Sequence, residues 1–197
     1  MEVIDNILPA IAFKKLSDYI MSHDFSWHYG RQVDSDHIPT KNLYLNGWGM
    51  IAYLDDFTPA PEWKIIGPFI LDALERAGQR VNVINRVRII LNTAAPDNYE
   101  NIPHVDWNEP HRTALIYMND SDGLTTIYKE KYDLSRGLRV SDFYNQYYRN
   151  NPMTVLKQIE PTANRLVWFD GHHFHAGQTP SIVDRRVIIN INYTVKE

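Results

Sequence analysis

From residue 80 to its end the chain is a succession of short segments rich in β-branched and aromatic residues, each bounded by Asp, Asn, Gly or Pro. Residues 80–93, 112–119, 124–129, 154–159, 165–169 and 186–194 have the length and composition of strands. The first eighty residues differ. Ile7, Ile11, Leu16 and Ile20 recur at spacings of four or five, which predicts an amphipathic helix over 6–23 with Pro9 in its first turn. Trp63, Ile66, Phe69, Ile70 and Leu74 predict a second helix over 61–77, ended by Gly78. Strands are expected at 25–33 and 43–54, with Gly30 and Gly47 at bends, and a short helix capped by Ser141 at 141–150. Helices first and many short strands after predict an α+β, mainly β fold. The expected architecture is a double-stranded β-helix, or jelly roll, with N-terminal helices packed on one sheet.

The 197 residues suit one domain, with 1–79 as helical and strand support and 80–197 as the jelly-roll core. A formal net charge of −4 argues against a strong electrostatic grip on nucleic acid. With no cysteine, disulfides, thiolate metal sites and Cys nucleophiles are excluded, and a reducing cytosol fits that usage. No apolar run approaches the roughly 18 residues of a membrane span, and the N-terminus lacks a signal-peptide layout. The expectation is a cytoplasmic protein without membrane contact. Its oligomeric state is left open.

The most specific chemical pattern is His104-Val-Asp106, followed about seventy residues later by His172-His173-Phe-His175-Ala-Gly and then Asp184-Arg185-Arg186. In an extended segment residues i and i+2 share a face, so His104 and Asp106 can aim at one ion. One distal imidazole completes the two-His, one-carboxylate facial triad of non-haem Fe(II) oxygenases, with open positions left for ligands. His172, His173 and His175 compete for that third place. In the last segment Arg186, Ile188, Asn190 and Asn192 share one face, and Val187, Ile189, Ile191 and Tyr193 the other. If the apolar face packs on the helices, Arg186 points into the barrel. There its guanidinium can grip a carboxylate bidentately, whereas Arg185 points away.

These residues resemble the Fe(II)/2-oxoglutarate-dependent dioxygenases, specifically the prolyl-4-hydroxylase-like branch with its phage and bacterial relatives. His104-Val-Asp106 is similar to the family's H-x-D. Residues 112–119 resemble the strand whose tyrosine, here Tyr117, binds the far carboxylate of 2-oxoglutarate. Asp122-Gly123-Leu-Thr125 resembles a Gly-Gly-x-Thr turn whose first glycine is replaced. Residues 164–171 followed by His175-Ala-Gly177 resemble the segment presenting the distal ligand, which favours His175. Arg186, eleven residues on, takes the basic position. The likeness runs from about residue 80 to the C-terminus.

The resemblance implies Fe(II) on His104, Asp106 and His175, with 2-oxoglutarate anchored by Arg186 and Tyr117. O2 is the oxidant, and ascorbate a possible supporting reductant. The implied reaction hydroxylates an unactivated C–H bond of a prolyl, peptidyl or amino-acid substrate, ahead of other small molecules, and releases succinate and CO2. Asn192 stands where the AlkB-like demethylases carry a second arginine, which counts against nucleic-acid substrates. Asp170 and Asp184 are candidates to support the ligating imidazoles. Arg88, Asn92, Trp107 and the tyrosines at 144, 147 and 148 are candidates to face substrate. Two other readings use the same ligands: a jelly-roll binding module without turnover, and a Zn-dependent hydrolase.

Overall fold

In the computed structural model, which describes residues 1–30, 47–54 and 59–196, the segment with the clearest alternation becomes the centre of the larger sheet. This strand, β10 (Arg185–Val195), pairs with β4 (Val81–Thr93) on one side and β5 (Arg112–Tyr117) on the other. Among the described residues the sheet has seven antiparallel strands in the order β1-β8-β5-β10-β4-β3-β2. The others are β1 (Glu2–Ile4), β2 (His28–Gly30), β3 (Gly47–Leu54) and β8 (Leu166–Asp170). A smaller sheet has the order β7-β6-β9, from β6 (Thr125–Lys131), β7 (Val155–Ile159) and β9 (His173–Gly177). The fold is mainly β, a double-sheet jelly roll with helices on the outer face of the larger sheet.

The parity of β10 divides the core as its sequence implies. Val187, Ile189, Ile191 and Tyr193 are fully buried against α1 (Ala10–Ile20) and α2 (Trp63–Arg76), together with Leu16, Ile66 and Leu74. Ile188 turns the other way and packs between the sheets with Ile90, Leu115, Tyr117, Ile127 and Phe169. Strands β1 to β3 come from the first eighty residues yet lie in the same sheet as β4, β5, β8 and β10.

Local rules explain most boundaries. Gly78 ends α2 at φ +68°; its N–H reaches the Glu75 carbonyl, and the Gln79 N–H reaches that of Leu74, a Schellman motif. The first helix begins later than its periodicity predicts. Leu8 is engaged by Asn164, whose Oδ1 accepts from the Leu8 N–H at 3.0 Å while its Nδ2 donates to the Leu8 carbonyl at 2.8 Å. Pro9 is therefore the N-cap rather than part of the first turn. The third helix, α3 (Val140–Tyr147), is capped by Arg139 without a side-chain bond, so Ser141 is not its cap. Gly30 and Gly47 stand opposite each other as the terminal pair of β2 and β3. Residues 31–33 and 43–46 of the predicted strands lie outside the described residues. Strands β1 and β9 are additions: β1 is three residues long, and β9 carries three polar imidazole and glycine positions that disguise it.

Candidate metal and co-substrate site

His104 and His175 face each other across an antiparallel bridge. The His104 N–H donates to the His175 carbonyl at 2.9 Å, and the His175 N–H returns the bond at 3.0 Å. This pairing adds the 100–104 segment to the open edge of β9 and brings the two rings to a centroid distance of 4.7 Å. Asp106 follows two residues on, and the ligand atoms of His104, Asp106 and His175 lie within 4.8 Å of one another.

The donor set suits a divalent metal. His104 Nδ1 lies 3.0 Å from the Ile102 carbonyl, and His175 Nδ1 lies 3.2 Å from that of His173. Carbonyls only accept, so these contacts put the proton on Nδ1 and the ligating lone pair on Nε2 of each ring. Backbone carbonyls thus do the work expected of Asp170 and Asp184. Asp170 instead accepts from Lys131 at 2.7 Å and from the His172 N–H, and Asp184 is exposed beside Arg185. His172 and His173 are held elsewhere, at the Asn108 and Tyr128 carbonyls. His175 is the one of the three that joins His104 and Asp106.

Asp106 is tied from three directions. Arg86 Nη2 donates to Oδ1 at 2.6 Å, while Asn190 and Asn192 donate to Oδ2 at 3.0 and 3.1 Å. Burial by itself would raise the Asp106 carboxyl. The Arg86 guanidinium is the foremost group that outweighs it and holds the carboxyl well below the usual carboxylate range. The ladder explains this convergence, since β10 and β4 pair Asn192 with Arg86 and Asn190 with Arg88 on the inward face. Asn190 and Asn192 were legible as members of the Arg186 face, but their hold on Asp106 depends on where residue 106 falls, which parity does not give.

Arg186 is 2% exposed and points between the sheets. Its Nη2 donates to Thr125 Oγ1 at 2.7 Å, and Tyr117 Oη donates to the same oxygen at 2.8 Å. Burial raises the Tyr117 phenol, with Arg186 acting in the opposite direction, so it stays a neutral donor. Gly177 lies against the guanidinium, where an added Cβ would come within 3.2 Å of Nη1. Thr125 is the residue that joins Tyr117 to Arg186, and only its place in the turn motif marks it in the sequence.

Between this group and the imidazoles is a cavity of about 30 Å³, lined by Asn92, Asn101, Thr125, His175, Arg186 and Asn190 among others. That is room for one or two waters. A five-carbon diacid needs these side chains to part. Asn190 lines this space, and its Oδ1 has no hydrogen-bond partner among the described residues. Asn92 lines the same cavity. The tyrosine cluster is elsewhere: Tyr144 and Tyr148 pack on Phe174, which alternates with His175 and so lies on the outer face of the smaller sheet.

No sequence family and no curated protein matches the chain. Solved structures do. The non-haem α-ketoglutarate-dependent epimerase SnoN from nogalamycin biosynthesis superposes with a TM-score of 0.61 at 13% identity, covering 98% of this chain and 77% of its own. A prolyl hydroxylase from Trichoplax adhaerens gives 0.59 at 13% identity, covering 98% and 82%. The chain has the fold of the 2-oxoglutarate-dependent oxygenases. HygX from Streptomyces hygroscopicus, solved with nickel and 2-oxoglutarate bound, gives 0.58 at 12% identity over 98% and 82%. Within the oxygenase fold, no helix among the described residues is long and apolar enough to cross a membrane.

Proposed function

We propose that residues 1–197 act as one Fe(II)- and 2-oxoglutarate-dependent dioxygenase. It hydroxylates an unactivated C–H bond of a prolyl, peptidyl or amino-acid substrate, with release of succinate and CO2. The observation that carries this reading is the backbone-paired His104 and His175 with Asp106, their ligand atoms within 4.8 Å, beside a cavity that ends on a buried arginine. When bound, iron and 2-oxoglutarate supply the activation of O2 and the oxidising power; the protein supplies orientation and a dry, shaped site.

Each residue has a definite task in this reading. His104, Asp106 and His175 hold the metal from one side. Arg86, Asn190 and Asn192 keep Asp106 ionised and oriented. Arg186 and Tyr117, joined through Thr125, offer donors to the far carboxylate of 2-oxoglutarate. Ile90, Leu115 and Ile188 line the same cavity and exclude water. A Zn-dependent hydrolase would need a general base at this cavity. Among the described residues, the side chains around it other than the ligands are amides, a threonine, an arginine and aliphatic groups, which favours the oxygenase.

The prolyl hydroxylases sharing this fold support a peptidyl substrate, while HygX, also solved with hygromycin B, keeps small molecules in the set to screen. The net charge of −4 leaves nucleic acid outside that set. The test is succinate formation by Fe(II)-loaded protein. A slow rate without substrate is expected, abolished in His175→Ala and strongly weakened in Arg186→Ala. A stimulated rate with a prolyl peptide would identify the substrate class, and succinate formation unchanged in His175→Ala would refute the ligand assignment.

A further inference from the structure

Arg86 makes two contacts. Its Nη2 donates to Asp106 Oδ1 at 2.6 Å and its Nε to Asn192 Oδ1 at 3.0 Å. Arg86 does not position Asp106 alone. The other carboxylate oxygen is gripped by Asn190 and Asn192, and the Asn192 amide is itself braced by Thr113 at 3.2 Å. The amides share in aiming the carboxylate, and the guanidinium also offsets its charge. The pair is screened little, with side-chain exposures of 15% for Arg86 and 2% for Asp106.

The charge of this pair follows. The −1 of Asp106, the one acidic group of the triad, is met at 2.6 Å by the +1 of Arg86. That guanidinium charge opposes the entry of a divalent cation and favours the entry of a dianion. Both effects are strong in a water-poor interior.

We propose that Arg86 sets the charge of the site, lowering its affinity for a divalent cation and raising its affinity for a dianionic co-substrate. The inference rests on the metal and 2-oxoglutarate reading above. Arg86 acts through Asp106, as a positioning residue for charge rather than a catalytic one. Its signature is a pair of effects of opposite sign, which a loss of structure does not produce.

The experiment measures Mn(II) binding to the full chain, then 2-oxoglutarate binding to the Mn(II)-loaded protein, by calorimetry. The wild type is compared with Arg86→Gln, Arg86→Met and Arg86→Lys. Gln keeps a donor and Met keeps the apolar stem, so at least one neutral variant is expected to fold. Each neutral variant should bind Mn(II) about tenfold tighter and 2-oxoglutarate about tenfold more weakly, within the usual range of coupling between neighbouring sites. Lys should stay within about threefold of the wild type for both ligands, because it retains the positive charge beside Asp106. Weaker binding of both ligands, or no change in either, overturns the inference. A wild type that binds Mn(II) neither alone nor with 2-oxoglutarate overturns the metal reading and this inference with it. Mn(II) binding with the wrong signs at Arg86 overturns this inference alone.

Discussion

Tyr117 and Arg186 meet on a single hydroxyl. Both donate to Thr125 Oγ1, at 2.8 and 2.7 Å, so three strands (β5, β6 and β10) converge on one oxygen inside the barrel. The smaller sheet contributes that oxygen and the larger sheet the two donors. The proposed anchor for a carboxylate is therefore also a tie between the sheets.

Replacing Thr125 by Val removes the acceptor and keeps the shape. Two buried donors then lose a partner, at a cost of about 1–3 kcal/mol for a group left unsatisfied. The variant should melt lower and bind 2-oxoglutarate roughly tenfold more weakly, while its Mn(II) affinity stays close to wild type. Calorimetry on the two ligands separately checks this.

Asn192→Ala removes a donor from Asp106 Oδ2 and the acceptor for Arg86 Nε. Residues behind a ligand typically contribute about 10–100-fold to metal affinity. Equilibrium dialysis against Mn(II) should show a loss toward the lower end of that range, because Asn190 still holds the same oxygen.

How much of this was legible beforehand divides along physical lines. The alternation of β10 gave the inward face of Arg186 and the helix-facing set Val187, Ile189, Ile191 and Tyr193, because strand parity is a local property. The two helices were legible from spacing, but the start of α1 was not, since Asn164 fixes Leu8 from 156 residues away. Strand β9 was hidden because its imidazoles and glycine carry little β signal. Its pairing with His104 is a long-range event. The same reason kept Arg86 from its place beside Asp106: twenty residues separate them in sequence, and their meeting depends on where the segment carrying Asp106 falls against β4.

Asp122 has a structural task. Its carboxylate accepts from the N–H groups of Ser181, Ile182 and Val183, from the Ser181 hydroxyl and from Asn98 Nδ2. Burial works to raise this carboxyl, but those donors outweigh it and hold it well below its ordinary 3.8. A depressed folded-state value stabilises the protein above the unfolded-state value, and that stability is lost as pH falls toward the folded one. Thermal melts from pH 6 to pH 2.5 should therefore fall more steeply for wild type than for Asp122→Asn below about pH 4. At pH 7 the variant should be less stable by about 1–2 kcal/mol.

Gly123 makes the turn possible for a different reason. A Cβ there would lie 2.6 Å from the Gln178 carbonyl oxygen, a backbone atom that cannot swing aside. Gly123→Ala should destabilise by at least about 2 kcal/mol, as overpacking does. Gly78→Ala meets open space and carries only the cost of φ +68°, about 1 kcal/mol. Denaturant titration of the two variants should rank them in that order.

The central claim is that His104, Asp106 and His175 hold a metal beside a 2-oxoglutarate anchor built on Arg186. Anaerobic reconstitution with Fe(II) and 2-oxoglutarate, followed by metal and co-substrate analysis of the desalted protein, tests it most directly. The account predicts one Fe(II) and one 2-oxoglutarate per chain, both lost in Asp106→Ala, and 2-oxoglutarate alone lost in Arg186→Ala. Equal retention of both by the wild type and Asp106→Ala, or retention of neither by the wild type, would contradict it.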